Sequence, residues 1–277
     1  MGRLFTFGCS FTQYMWPTWA NVVAYDLKLP LYNFAVAGLG NVGIMNRVME
    51  ADMKFKFTPE DKIMIMWSSW SRDDYVTAHG HWHMAGSRFN QRMSSKQISK
   101  LKSRWSPFDD IVKNANAVAY VTKAYEKNIT WQGYGFEPWV QEGDTETLAE
   151  LFLDNKSLSK YLELIEFYKT KIPSLPYRQL EMAGTPAFGH ITDSHPDVAE
   201  HVNIVQNFIY PSIDCCIEQE TVGIFSALHN TIKKTCKRKN IRALNELQHV
   251  PMGIIIEHYP EIHPYMNIRS LTDDILG

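Results

Sequence analysis

The run Ile63-Met64-Ile65-Met66-Trp67 contains no polar side chain, and it limits the possible folds more than any other stretch. Five apolar residues in succession leave no strand face for water, so the run reads as a central strand covered on both sides, the usual condition of a parallel sheet. Two largely apolar runs precede it. Leu4 to Phe7 is aromatic-rich and stops at Gly8, and Leu31-Tyr32-Asn33-Phe34-Ala35-Val36 reads as a second strand. Between these two, Trp19, Val22, Val23 and Leu27 recur at helical spacing just beyond Pro17. Between the second and third, Val42, Met45, Val48, Met49 and Met53 mark one face of another helix. Strand, helix, strand, helix, strand at this spacing means right-handed crossovers and parallel strands.

Composition narrows the class of partner. A chain of 277 residues, 45% hydrophobic and 13% aromatic, buries a full core as one large domain or as a domain with an appendage. Its 28 basic and 30 acidic side chains nearly cancel, which argues against nucleic acid or an anionic membrane as the main partner. No apolar run approaches membrane-spanning length and the first residues lack a signal-peptide pattern, so a cytoplasmic protein is expected. Cys9, Cys215, Cys216 and Cys236 then read as free thiols. Cys215 and Cys216 are adjacent and have no second pair to complete a zinc site.

The remainder reads less regularly. Residues 68–105 show no sustained periodicity and are rich in Ser, Arg, His, Trp and Gly, the mark of a lid or insertion. A helix is expected from Asp109 to about Lys127 and a fourth strand over Ile129-Thr130-Trp131-Gln132-Gly133. Leu148 to Tyr168 reads as helical with a break near Asn155. Pro173 to Gly189 reads as a loop. Val198, Val202, Val205 and Ile209 make one face of a helix starting after Pro196, and Ile213, Ile217, Ile224, Phe225, Leu228 and Ile232 suggest another. The latter ends in the basic run Lys233 to Lys239, which reads as a solvated helix end.

Two stretches carry chemistry. In Phe7-Gly8-Cys9-Ser10-Phe11-Thr12, a serine follows the first strand, where open α/β sheets place nucleophiles. The competing reading of Ser10 is a helix N-cap. Far downstream, Asp193-Ser194-His195-Pro196 offers a histidine, the side chain best matched to activating a serine, with an acid two residues earlier to orient it. An exposed histidine in an Asx-type turn is the competing reading there. Glu261-Ile262-His263-Pro264 has the same acid-x-His-Pro form, but glutamate replaces aspartate and no clear helix follows, so His195 is preferred as the base.

With these residues in hand, the chain resembles the SGNH (GDSL-like) hydrolase family, which carries Gly-Asp-Ser near its N-terminus and Asp-x-His-Pro near its end. It is similar in particular to phage-borne members with a Gly-Cys-Ser-Phe-Thr block, matched by Gly8 to Thr12, and a Trp-Pro-Thr-Trp-Ala block, matched by Trp16 to Ala20. The resemblance runs over about three quarters of the chain, to Pro211. It implies a 1–211 hydrolase-like domain; residues 212–277 lie outside the resemblance and read from their apolar spacing as a mostly helical extension, expected to serve homo-oligomer or virion assembly. It also implies a three-layer α/β/α sandwich with a flavodoxin-like sheet in the order 2-1-3-4, with room for a fifth strand, and metal-free chemistry without a cofactor. In that order strands one and three meet at the topological switch point.

The resemblance further implies a Ser10, His195, Asp193 triad and an oxyanion hole from the amides of Ser10 and Gly38. The family's third donor, an asparagine in Gly-x-Asn, is absent: the strand end reads Trp67-Ser68-Ser69-Trp70, leaving Ser69 or Asn41 as the substitute. Asn41 also reads as the N-cap of the second helix. Cys9, in the family's usual aspartate position, reads as a small buried residue, and His201 as packing. His79, His81 and His83 alternate, but without an acid they are weak evidence for a metal. Trp70, Arg72 and Trp82 read instead as substrate contacts, the tryptophans stacking on a sugar face. The expected function is a serine esterase deacylating a small-molecule or carbohydrate ester. The contrasting expectation is a non-catalytic carbohydrate-binding or virion-associated module on the same scaffold.

Overall fold

The computed structural model describes residues 2–68, 72–76, 82–87, 96, 99, 107–134, 154–171, 188, 191, 193 and 195–266. In chain order its main elements are β1 (Leu4–Phe7), α1 (Trp19–Asp26), β2 (Leu31–Asn33), α2 (Asn41–Phe55), β3 (Lys62–Trp67), β4 (Arg72–Val76), β5 (Trp82–Ser87), α3 (Pro107–Ala124), β6 (Ile129–Tyr134), α4 (Asn155–Lys171), α5 (Val198–Ile204), α6 (Gln219–Arg238), α7 (Leu244–Leu247) and α8 (Val250–His258). Four strands form a parallel sheet in the order β2-β1-β3-β6, with Leu4 opposite both Leu31 and Lys62, and Trp67 opposite Tyr134. This is the expected order, with β1 and β3 adjacent at its centre.

Alternation along the strands builds two cores. Phe5, Phe7, Ile63, Ile65 and Trp67 point to one side and pack with Ile44 and Val48 of α2 and Val118 and Val121 of α3. Leu4, Met64, Met66 and Trp131 point to the other and meet Val22 and Val23 of α1, Val202 of α5, Phe225, Leu228 and Ile232 of α6, and Ile255 of α8. The result is a three-layer α/β/α sandwich, and helices from beyond residue 211 help cover one face.

Several local expectations are revised. β2 is shorter than the apolar run because Asn33 turns the chain: its Oδ1 accepts from Ala35 N at 3.1 Å and its Nδ2 donates to the Thr12 carbonyl at 2.8 Å. Within residues 68–105, expected to be irregular, β4 and β5 pair as an antiparallel hairpin. Their polar residues hide the strand signal. After Ile204 the helix passes through a π turn (Val205–Ile209) into a 3₁₀ turn (Tyr210–Ile213). Pro211 has no N–H to continue an α ladder, and Asp214 at φ 52° ends the segment. α6 therefore starts later than its apolar stripe suggests.

Candidate active site

Ser10 sits in the turn that closes β1. The carbonyl of Cys9 accepts from Thr12 N at 2.9 Å and Gln13 N at 3.2 Å, folding the chain back at once. A side chain at Gly8 would collide with Thr12 Oγ1 and come within 2.9 Å of the Met66 carbonyl, so only glycine lets β1 turn this closely against β3. Cys9 is fully buried in the core cluster of α1, while Ser10 remains 6% exposed. The N-cap reading of Ser10 is corrected: α1 begins at Trp19, capped by Thr18, whose N–H donates to Asn21 Oδ1 at 2.8 Å.

His195 meets Ser10 across 185 positions of sequence. Its Nε2 lies 2.8 Å from Ser10 Oγ and its Nδ1 lies 2.7 Å from Asp193 Oδ1. A carboxylate can only accept, so neutral His195 carries its proton on Nδ1 and turns the Nε2 lone pair toward the serine hydroxyl. Asp193 Oδ1 also accepts from His195 N at 3.1 Å. The Asx-type turn is thus present, and it aims the ring at Ser10 instead of at solvent. Burial pushes the Asp193 carboxyl up, but hydrogen bonds from His195 and Tyr14 outweigh it and hold the group below its ordinary range.

Tyr14 is the part that sequence reasoning missed. Its hydroxyl donates to Asp193 Oδ2 at 2.7 Å, and its ring stacks on the imidazole with centroids 4.0 Å apart and planes at 16°. Burial, and then the bond to Asp193, raise the phenol well above its usual range, so it stays a donor. Phe11 packs 5.2 Å from the imidazole. Trp16 Nε1 donates to the Pro196 carbonyl at 2.8 Å, fixing the residue after His195. Behind it, Asp197 caps α5, accepting from Ala199 N and Glu200 N. Three aromatic residues within six positions of the serine thus supply the histidine's surroundings. The cluster Phe11, Tyr14 and Trp16 was the available signal, but no spacing rule ties a tyrosine to a distant aspartate.

His201 and His263 are placed differently. His201 is buried on α5 at 1% exposure; burial first, then proximity to His195, lower its pKa to about 3. It is therefore neutral and packed, in keeping with its expected role. His263 is exposed at the start of a 3₁₀ turn (His263–Met266).

The turn between β2 and α2 carries Gly38 and Asn41, the residues expected to serve an oxyanion. Gly38 has φ 82°, a left-handed conformation suited to glycine. Val36 N donates to the Gly8 carbonyl at 3.2 Å, tying this turn to the one that carries Ser10. The N-cap reading of Asn41 is corrected: Gly40 occupies that position and Asn41 is the first helical residue. Its buried amide faces the end of β3, with Oδ1 accepting from Ser68 N at 2.8 Å and Nδ2 donating to the Ser68 carbonyl at 3.0 Å. Arg72 Nη1 donates to the Leu39 carbonyl at 3.1 Å. Ser69, Trp70, His79 and His81 lie outside the described residues, as do most residues of the expected lid. Trp82 and His83 are placed only as residues of β5, opposite Val76 and Tyr75.

No protein-family model matches the chain, and no curated protein matches it. Among solved structures, an alpha/beta hydrolase enzyme from the metagenome of Lake Arreo, Spain, is 13% identical with a TM-score of 0.43, covering 78% of this chain and 97% of its own. An acetyl xylan esterase from Geobacillus stearothermophilus is 14% identical with a TM-score of 0.41, covering 79% and 97%. A psychrotrophic esterase from Pseudoalteromonas sp. is 10% identical with a TM-score of 0.34, covering 86% and 100%. Likenesses this distant bear neither on the fold nor on the chemistry, which rest on the geometry above.

Proposed function

We propose that the chain is a serine hydrolase of carboxylic esters, of the SGNH type. One observation carries the reading: an unbroken line of hydrogen bonds from Asp193 through His195 to Ser10, at 2.7 and 2.8 Å. In this reading Ser10 Oγ attacks the acyl carbon as its proton passes to His195 Nε2. Asp193 keeps the imidazole oriented and stabilises the imidazolium. The oxyanion is received by the amides of Ser10 and Gly38, with Asn41 or Ser69 as the third donor. His195 then protonates the departing alcohol. A water, activated by the same nitrogen, attacks the acyl-enzyme, releasing the acid and restoring Ser10. General acid–base transfer of this kind contributes about 10²–10⁴-fold in rate.

The substrate class is an acyl group, acetyl or similar, on a carbohydrate. This extension is supported by the tryptophans at positions 70 and 82 flanking Arg72 in sequence, since aromatic faces suit sugar rings. Hydrolysis of p-nitrophenyl acetate tests the chemistry. Ser10→Ala is expected to abolish turnover without unfolding the chain, and Cys9→Ala to keep most of it. Full activity in the Ser10 variant would contradict the mechanism, and an inert wild-type protein would favour a binding module on this scaffold.

A further inference from the structure

α2 runs for 15 residues from Asn41, so its first backbone N–H groups have no partner within the helix. Two of them are claimed by a side chain 34 and 31 positions away. Asp74 Oδ2, on strand β4 of the hairpin, accepts from Gly40 N at 2.6 Å and from Gly43 N at 3.1 Å. The carboxylate also opposes the positive end of the helix dipole. Both partners are glycines for a visible reason. A Cβ at Gly40 would lie 2.7 Å from Asp74 Oδ2 and 2.9 Å from Arg72 Cβ, and one at Gly43 would lie 2.7 Å from the same oxygen and strike Leu39.

Arg72, two residues earlier on β4, donates from Nη1 to the Leu39 carbonyl at 3.1 Å, an oxygen that Ser68 Oγ also reaches at 2.8 Å. The Leu39 carbonyl and the Gly40 N–H belong to one peptide unit. Arg72 therefore holds one edge of that plane and Asp74 the other, immediately after Gly38.

We propose that Asp74, with Arg72, is a positioning residue that fixes the Gly38–Asn41 turn so that the Gly38 amide faces the acyl oxygen. The hairpin is then part of the catalytic frame and not only a cover. The inference rests on the reading of Gly38 as an oxyanion donor. Losing an oxyanion donor outright costs about 10²–10³ in kcat. A loosened donor costs less.

Asp74→Ala in the full chain is expected to lower kcat for p-nitrophenyl acetate about tenfold while KM stays within about twofold. It should also speed amide hydrogen exchange over residues 38–43. Sodium formate should restore part of the lost kcat, because a small carboxylate can refill the vacated helix terminus. That rescue is absent for a residue needed only for stability. Gly43→Ala provides a second route should Asp74→Ala fail to fold: its methyl displaces the carboxylate on a helix that alanine otherwise favours. It should show the same kcat loss without formate rescue. Unchanged kcat and unchanged exchange in either variant would overturn the proposal, as would a loss seen wholly in KM. If wild-type protein proves inert toward esters, the hydrolase reading fails by itself. Exchange over residues 38–43 then still decides the grip: faster in Asp74→Ala upholds it, unchanged refutes it.

Discussion

Asp193-Ser194-His195-Pro196 and Glu261-Ile262-His263-Pro264 are nearly the same four-residue pattern, yet they occupy opposite kinds of site. The His195 ring bonds to Asp193 at 2.7 Å and to Ser10 at 2.8 Å and lies against Tyr14, with its following carbonyl pinned by Trp16. His263 stands exposed while its neighbours Ile262 and Met266 are buried, and its backbone N donates to the Pro260 carbonyl at 3.2 Å. At 261–264 the apolar residue of the pattern is the anchor, so the histidine faces out. At 193–196 the anchor is supplied from outside, by the aromatic loop that follows Ser10. An acid two residues before a histidine is therefore not what makes a base. A second segment must hold the ring and supply something for it to act on.

Breaking the comparison at its strong end gives the largest effect. His195→Ala is expected to lower kcat on p-nitrophenyl acetate about 10²-fold or more, read by steady-state kinetics on folded protein. Next, Tyr14→Phe keeps the stack and removes one bond to a charged group, for about a tenfold loss in kcat. Asp193 is held below its ordinary range partly by that bond. Without it the carboxylate takes up its proton at a higher pH, so the acid limb of kcat/KM should move upward. An acid limb unchanged by Tyr14→Phe would remove Tyr14 from the machinery.

A third histidine sharpens the contrast through stability. His201 is buried and its pKa is lowered to about 3, against an unfolded value of about 6.5. Between these values the unfolded chain binds the extra proton. The stability contributed by neutral His201 is thus complete above pH ~6.5 and is lost by up to ~1.4 kcal/mol per pH unit as the pH falls toward 3. Urea unfolding of the wild type and His201→Leu across this range should show a flatter pH dependence in the variant.

Smaller still, Trp16→Phe removes the bond to Pro196 and should cost about 1 kcal/mol of stability, with a few-fold loss in kcat. At the bottom of the scale, His263→Ala should leave kcat unchanged within about twofold, and a larger loss would bring the C-terminal turn into the site.

These contrasts mark where sequence is informative. The parallel sheet was legible because β3 is apolar at every inward and outward position from Ile63 to Trp67, a pattern that solvent does not tolerate. The meeting of Ser10 with His195 was legible because a serine follows the first strand and a histidine downstream has an acid two residues before it, the parts that an activated nucleophile requires. Tyr14 was not, since its bond to Asp193 joins positions 179 apart and depends on how two loops stack. The hairpin was hidden for another reason. Arg72 and Asp74 spend their polar groups on backbone atoms of a distant turn, so the strand carries charge where an alternating apolar pattern is sought. Asn41 shows the same effect. Its identity suggested a cap, but the Ser68 backbone at the end of β3 offered its amide both an acceptor and a donor, and Gly40 took the cap position.

The central claim is that Ser10 is a nucleophile made reactive by His195. Labelling with a fluorophosphonate probe, followed by peptide mass mapping, tests it on three proteins side by side. The account predicts adduct on Ser10 in the wild type and in His263→Ala at matching rates, and labelling slowed by about 10²-fold or more in His195→Ala. Labelling that persists at the wild-type rate in His195→Ala, or that disappears in His263→Ala, would contradict it.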